Sequence, residues 1–360
     1  MGGGALWTGM GGASLGNSTD EDQGNETDGV KVMRVMVPVL DSLILVTGML
    51  GHFLVVTILI RRRRTQGGRV LRGTDVLLLA LGAADLLLLF CLPFHTTAIA
   101  LGSWPFGSFL CKAVSFLGVA CSAASVFTLA ALAVTRYVAV VHPTWSYHAF
   151  MRRHLKLAVA LLWIPATALA APQFAFRVVG MSSTLYCFAF LGNLGQRVYG
   201  TTLFLCAFAM PLGVIAGMYA RIYCFLRRMR RLGHAPQLDR YQSQVTHTAA
   251  LLVLVFTLCW LPSYSLMFSL LGRTSIITPT YRYVAIFIRL MASSASVFNP
   301  VLYVFMSNRF RGDLEVLLRE CVEAFRRRVQ GCRLGALGGN MVQPFNPAQV
   351  DTPPPRLPGF

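Results

Sequence analysis

Seven apolar stretches, near 34–60, 74–101, 109–141, 155–174, 198–226, 245–271 and 280–306, leave this chain few folds to choose from. A helix needs about 20 predominantly apolar residues to cross the hydrocarbon of a bilayer. In lipid the backbone must satisfy its own hydrogen bonds, and a helix does so within one segment. The expected fold class is therefore an all-α membrane protein, a seven-transmembrane helix bundle. Composition agrees: 55% of the 360 residues are hydrophobic and only 13% are charged, about half the charge of an ordinary soluble domain. The fourth stretch holds Pro165 and Pro172, so its outer end is expected to be irregular.

The formal charge of +18 would suggest nucleic-acid binding in a soluble protein. Here the basic residues cluster between spans instead. Arg61 to Arg64 follow the first span, and Arg152 and Arg153 precede the fourth. Arg227, Arg228, Arg230 and Arg231 end the fifth, and Arg326 to Arg328 follow the seventh. With alternating spans all four clusters lie on one side, and positive charge marks the cytoplasm. The expectation is a multi-pass plasma-membrane protein with an extracellular amino terminus and no nucleic-acid partner.

Residues 1–33 are Gly-rich, acidic and poor in large apolar groups, a composition expected to be disordered. They lack the charged start and apolar run of a cleavable signal, so the first span is expected to direct membrane insertion. Asn17 and Asn25 stand in glycosylation acceptor patterns on that external segment. The receptor domain is expected at 34–306. In 307–330, Phe310, Leu314, Leu317, Leu318, Val322 and Phe325 recur at helical spacing among charged residues. That pattern reads as a short amphipathic interfacial helix after the seventh span. The tail 331–360, with Pro353 to Pro355, is expected to be a disordered cytoplasmic segment.

The nine cysteines have no zinc-like spacing. Cys111 opens the third span on its outer side and Cys187 lies in the outer loop after the fourth. Both face an oxidising compartment, which permits a disulfide across the mouth of the bundle. Cys321 and Cys332 flank Arg326 to Arg328 and are candidate palmitoylation sites or free thiols.

Asp85 reads as the only carboxylate well inside a span. Burial without partners would be costly or would protonate it. Ser125, Ser296 and Asn299 are candidate neighbours, giving an oxygen-lined site for sodium and water, or donors to a neutral Asp85. Pro211, Pro262 and Pro300 lie mid-span in three consecutive helices, where each removes a helical hydrogen bond. Trp260 and Tyr303 stand near two of them, an arrangement suited to a hinge. Arg136 and Tyr137 close the third span at its cytoplasmic end.

These residues, in this order, resemble the rhodopsin-like G-protein-coupled receptors over about residues 35–328. The matching segments are LGAAD ending at Asp85, Trp104 and Phe106 before Cys111, and TRY from Thr135 to Tyr137. Trp163, Pro211 with Tyr219, FTLCWLP from Phe256 to Pro262, NPVLY from Asn299 to Tyr303, and the Phe310 helix complete the set. Within the family the chain looks like peptide receptors of the galanin, allatostatin and kisspeptin group. The resemblance implies a receptor, not an enzyme. Its implied partners are an extracellular peptide, a heterotrimeric G protein, arrestin and membrane lipids, with allosteric Na+ as the one possible bound ion. It assigns the sodium site to Asp85, Ser125 and Asn299 and the disulfide to Cys111 and Cys187. It assigns the activation switch to Arg136, Tyr137, Tyr219, Phe256, Trp260, Asn299, Pro300 and Tyr303, with Val126 and Pro211 packed against Phe256. Five positions depart from the family pattern. His52 stands where Asn follows Gly51, and Thr135 replaces an acid before Arg136. Gln242 and Gln244 replace an acid at the foot of the sixth helix, and Ala295 replaces a polar group by the sodium site. Raised basal activity is one expected consequence.

No Asp or Glu occurs between Asp85 and Asp239, and Gly118 stands where amine receptors carry an aspartate. The outer halves of the third to fifth spans thus offer an amine no counter-ion. The candidate ligand-binding residues are His95, Gln173, Arg177, Tyr264, Arg282 and Arg289, with Trp104 among the aromatics at the mouth. The set suits a peptide with carbonyl or acidic groups. Arg289 is the deepest cation and the expected anchor. A receptor for a small carboxylate or lipid held by Arg289 is the alternative. A transporter would carry inverted repeats, and none is found.

Overall fold

The computed structural model describes residues 20–65, 73–142, 147–181, 185–189, 193–232, 237–271, 279–306 and 308–338. The helices are α1 (Asp20–Thr65), α2 (Gly73–Leu101), α3 (Gly107–Val141) and α4 (Tyr147–Phe176). A hairpin of β1 (Arg177–Met181) and β2 (Leu185–Ala189) follows, antiparallel with Val179 opposite Cys187. α5 runs from Asn193–Phe204 through a π-helical turn, Leu205–Ala209, into Met210–Arg231. α6 (Gln237–Leu271), α7 (Pro279–Met306) and α8 (Asn308–Gly338) complete the order.

Among the described residues six helices hold runs long and apolar enough to cross a membrane, and α6 carries a shorter apolar run, Val253–Ser269. Side chains such as Phe53, Phe90, Phe109, Ile164 and Phe287 point outward. In water such a surface would aggregate; facing acyl chains it is the expected exterior of a membrane bundle. Helices in lipid gain little from burying apolar surface against one another, so close packing by small residues matters more. α3 shows this. Ala120, Cys121, Ala123 and Ala124 are buried on it, and Ala84 of α2, Ala166 of α4 and Ala207 of α5 pack into the same core. These short side chains let α3 lie at the centre, touching α2, α4 and α5. The same logic holds at Gly51 of α1, where a Cβ would lie 2.9 Å from the ring of Pro300 on α7.

Three boundary expectations change. Residues 20–33 are helical, an outward continuation of α1 rather than disordered chain. α4 is unbroken through Pro165 and Pro172 to Phe176. Proline removes one hydrogen bond per site, and packing along α3 holds the helix through both. α8 extends to Gly338, eight positions past the expected end at 330, so Cys332 lies on the helix rather than in the tail. On α8, Val316, Leu318, Val322 and Phe325 are exposed beside a charged face that includes an Arg327–Glu323 pair one turn apart.

The π turn in α5 sits just before Pro211. Pro211 has no N–H for the preceding turn, and a widened turn is one way a helix absorbs that loss. Phe208, on the widened turn, is buried in the core with Phe256 and Trp260.

Candidate functional site

Two adjacent spaces lie within the bundle. The deeper, about 30 Å³, is lined by Asp85, Ser125, Ser296 and Asn299, with Phe256 and Trp260 beside them. The outer, about 150 Å³, is lined by His95, Gln173, Arg177 and Arg289 among apolar residues of α2, α3, α6 and α7. Leu88, Ser122, Trp260 and Ser296 line both. Trp260 therefore stands where an occupant of the outer cavity could press on the deeper one.

The deeper site is tied from four helices. Asp85 accepts a hydrogen bond from the Ser125 hydroxyl at 2.7 Å and from the Asn299 amide at 2.7 Å. These donors satisfy both carboxylate oxygens, as a buried carboxyl group requires. His52 reaches in from α1, its Nε2 3.5 Å from Asp85 and 3.0 Å from the backbone oxygen of Ser296. That second contact has a specific cause. Pro300 has no N–H, so the carbonyl four residues earlier, that of Ser296, loses its helical donor. In lipid such an orphan must be satisfied by a neighbour. His52 supplies the donor, which places the proton on Nε2. Expected outcome: His52→Leu leaves the carbonyl unpaired and lowers the melting point by an amount worth about 1–3 kcal/mol. His52→Asn, which keeps a donor, should lose less. Equal melting of wild type and His52→Leu would show that the carbonyl finds another donor.

The residues fit a hard cation in part. Asp85, Ser125 and Ser296 offer oxygens around a space about one water in size. Ala295 lines the same space and adds none.

Several of the residues expected to form the activation switch fall in two buried clusters. Phe256 stacks on Phe208 with ring centroids 5.3 Å apart, and Phe208 lies 5.2 Å from Tyr264. Val126 and Trp260 share this cluster. Phe208 carries no mark in the sequence beyond the mid-span Pro211 three residues on, and the π turn places it in this stack. Nearer the Arg136 end of α3, Tyr219 is buried with Ala133, Ile215 and Ile222, and Tyr137 packs alongside. Arg136 is half-buried. The hydroxyl of Thr135 donates to the Leu132 carbonyl at 2.8 Å. Among the described residues no carboxylate pairs with Arg136. The side chains of Tyr303, Gln242 and Gln244 lie outside the described residues.

The outer cavity brings together four of the six expected ligand residues. Tyr264 is not among them: it is buried against Phe204 and Phe208, part of the core rather than the wall. Arg282 lies outside the described side chains. Trp104 is also structural. It is buried against Cys111 and Cys187, and its indole N–H donates to the Gly107 carbonyl at 2.9 Å. Cys111 and Cys187 form a disulfide, with Cα atoms 5.6 Å apart, that fastens β2 to the outer end of α3.

Arg289 requires a correction. Asp85 is not the only buried carboxylate in the bundle. Asp41 of α1 is buried as deeply and forms a salt bridge and hydrogen bond with Arg289 of α7. Thr96 of α2 donates to the same carboxylate oxygen. The expected ligand anchor thus already has a partner within the protein. Asp41 lies near the outer end of its span, and nothing in the local sequence indicates which way α1 is turned.

Asn17 lies outside the described residues. Asn25 falls on α1, and its side chain is not described. Cys321 on α8 is exposed with a free thiol.

Comparison with known proteins places this geometry. The mouse galanin receptor type 2 is 30% identical over 318 residues, covering 86% of this chain and 84% of that receptor. The rat galanin receptor type 1 is 30% identical over 305 residues, covering 83% and 87%. The allatostatin-A receptor of Bombyx mori is 30% identical over 319 residues, covering 83% and 84%. The family model for the 7 transmembrane receptor (rhodopsin family) matches residues 51–303, from His52's neighbour Gly51 to the end of the NPVLY segment, and the chain belongs to that family of multi-pass receptors.

Proposed function

We propose that this chain is a cell-surface receptor for a neuropeptide, galanin-like in the first instance, with its amino terminus outside. The supporting observation is the outer cavity. His95, Gln173, Arg177 and Arg289 line it, and among the described residues no Asp or Glu does. That wall disfavours an amine and suits a chain of carbonyls with an acidic or aromatic group. The 30% identity to galanin and allatostatin-A receptors supports the same reading. A small carboxylate or lipid held by Arg289 is the other reading, and the Asp41 pair weighs against it.

Signalling proceeds through a heterotrimeric G protein. The occupant presses on Trp260, the Phe256–Phe208 stack repacks, and the cytoplasmic half of α6 swings outward from Pro262. Arg136 then meets the G protein, with Tyr219 and Tyr303 holding the open state; arrestin reads the same face. Carbohydrate on Asn17 or Asn25 and palmitate on Cys321 or Cys332 complete the surface form. The test is a panel of galanin, allatostatin and other secreted neuropeptides on cells expressing the chain, read by several second messengers. Activation by small acids with silence to every peptide would overturn the peptide reading.

Sodium bound at Asp85 would favour the resting state. Replacing Na+ with choline is then expected to raise agonist affinity in wild type and not in Asp85→Asn. Equal responses would remove the ion from the account.

Thr135 spends its hydroxyl on Leu132 and offers Arg136 no charge. The resting state lacks a restraint that the active state never needs, and about 1.4 kcal/mol changes the population ratio tenfold. The expected result is signalling without agonist, lowered by Thr135→Asp. Equal basal output from both, at matched surface levels, would assign the resting state to other contacts.

A further inference from the structure

We infer that the anion-binding group of the outer cavity is Arg177, not Arg289, and that the ligand brings a carboxylate next to an apolar group. The inference rests on the receptor reading for the ligand being a peptide, and on geometry alone for the subsite.

Three basic side chains line the cavity: His95, Arg177 and Arg289. Arg289 carries its counter-charge in Asp41, although its Nε is buried without a hydrogen-bond partner. Among the described residues Arg177 has no acidic partner. It begins β1, directly after α4, and is 1% exposed. Its Nε donates to the side-chain oxygen of Gln173 at 2.9 Å. Gln173 in turn donates to the hydroxyl of Tyr199 at 3.2 Å, and that hydroxyl donates to the Leu169 carbonyl at 3.0 Å. The guanidinium is thereby fixed on one edge while its Nη1 is buried without a hydrogen-bond partner.

A buried guanidinium without a counter-ion is costly to fold. Burial draws Arg177 down from its usual range to about 10, so it still carries its proton at neutral pH. Among the described residues nothing acidic reaches it, and no Asp or Glu occurs in the chain between Asp85 and Asp239. A planar fork with free donors matches a carboxylate in shape as well as charge. The rest of the wall is largely apolar, and a cavity of about 150 Å³ is the size that holds a benzene ring. Ring plus carboxylate is therefore the minimal ligand.

The carboxylate could belong to a peptide or to a small acid, and two probe pairs separate these sources. One is 3-phenylpropionate against 3-phenylpropionamide. The other is a capped tripeptide with glutamate between two phenylalanines against its glutamine counterpart. Each is titrated into the purified full-length chain in lipid-containing micelles, and the melting temperature is followed to saturation. The expected result is an acid preferred over its amide by roughly tenfold or more. Arg177→Gln should abolish that preference without lowering the melting point of the empty protein. Arg177→Lys, which keeps the charge but not the fork, should retain part of it. The paired variant Asp41→Leu/Arg289→Met should keep it whole.

Equal binding of acid and amide by the wild type would overturn the inference, whatever the variants do. So would a preference that survives Arg177→Gln, or one that vanishes only in the paired variant. Preference in the small-acid pair alone would name a small acid as the source, and preference in the tripeptide pair a peptide. Acid binding through Arg177 with no neuropeptide response would sink the peptide reading and leave the subsite standing. Peptide activation with no acid preference would do the reverse.

Discussion

Asp41→Ala alone should destabilise the receptor by about 3–5 kcal/mol, the usual effect of stripping one partner from a buried ion pair. Arg289→Ala should do nearly the same. Both side chains are removed from solvent, Asp41 at 2% and Arg289 at 10% exposure. The loss comes from the charge left behind, not from the attraction alone. Asp41→Leu with Arg289→Met removes both charges and should recover most of the stability. Melting of the wild type, Asp41→Leu, Arg289→Met and the double variant in micelles closes the cycle. Losses that simply add in the double variant would show that the two residues do not act as a pair. The pair matters to function because it joins α1 to α7 at the wall of the ligand cavity. Arg289→Ala is thus expected to lower agonist response through the fold, and the double variant, which restores stability, should recover that response.

Cys111→Ser and Cys187→Ser should each remove about 2–5 kcal/mol and with it most surface expression. The bridge closes a loop of 76 residues, and long loops lose the most entropy when tied. It also fixes a local framework. The backbone N–H of Trp104 donates to the Leu185 carbonyl at 2.7 Å, so the α2–α3 turn and β2 share one anchorage. Arg177 lies at the far end of the strand paired with β2, so ligand binding should fall along with stability. The double variant should be no worse than either single one. Full binding by any of the three at matched surface levels would show that the hairpin holds without the bridge.

Much of this site is legible in residues alone because its chemistry is local or strongly restricted. A carboxyl group in an Ala- and Leu-rich helix needs donors, and few polar residues lie at the right depth to supply them. Ser125 and Asn299 were therefore found, and both hydrogen-bond to Asp85. The two external cysteines had a narrow choice of partner. His52 was legible as a departure but not in its role. Its acceptor, the Ser296 carbonyl, is freed by a proline on another helix, and backbone atoms leave no mark in a side-chain pattern. Tyr264 and Trp104 read as mouth residues because both carry a polar tip on an aromatic body. In the structure each tip finds a backbone carbonyl, which lets the whole ring be buried.

The sequence by itself determined the seven spans, the clustering of Arg between alternate spans, the absence of a counter-ion for amines and the Asp85 cluster. Each follows from the cost of placing polar groups in hydrocarbon, which is felt residue by residue. Only the tertiary structure decided which cation is neutralised and which is left open. Asp41 and Arg289 are 248 residues apart in the chain. Their meeting depends on how α1 and α7 are rotated and spaced, which small-residue contacts such as Gly51 against Pro300 set. A long-range pairing of this kind is a property of helix packing, and hydropathy and periodicity carry no information about it.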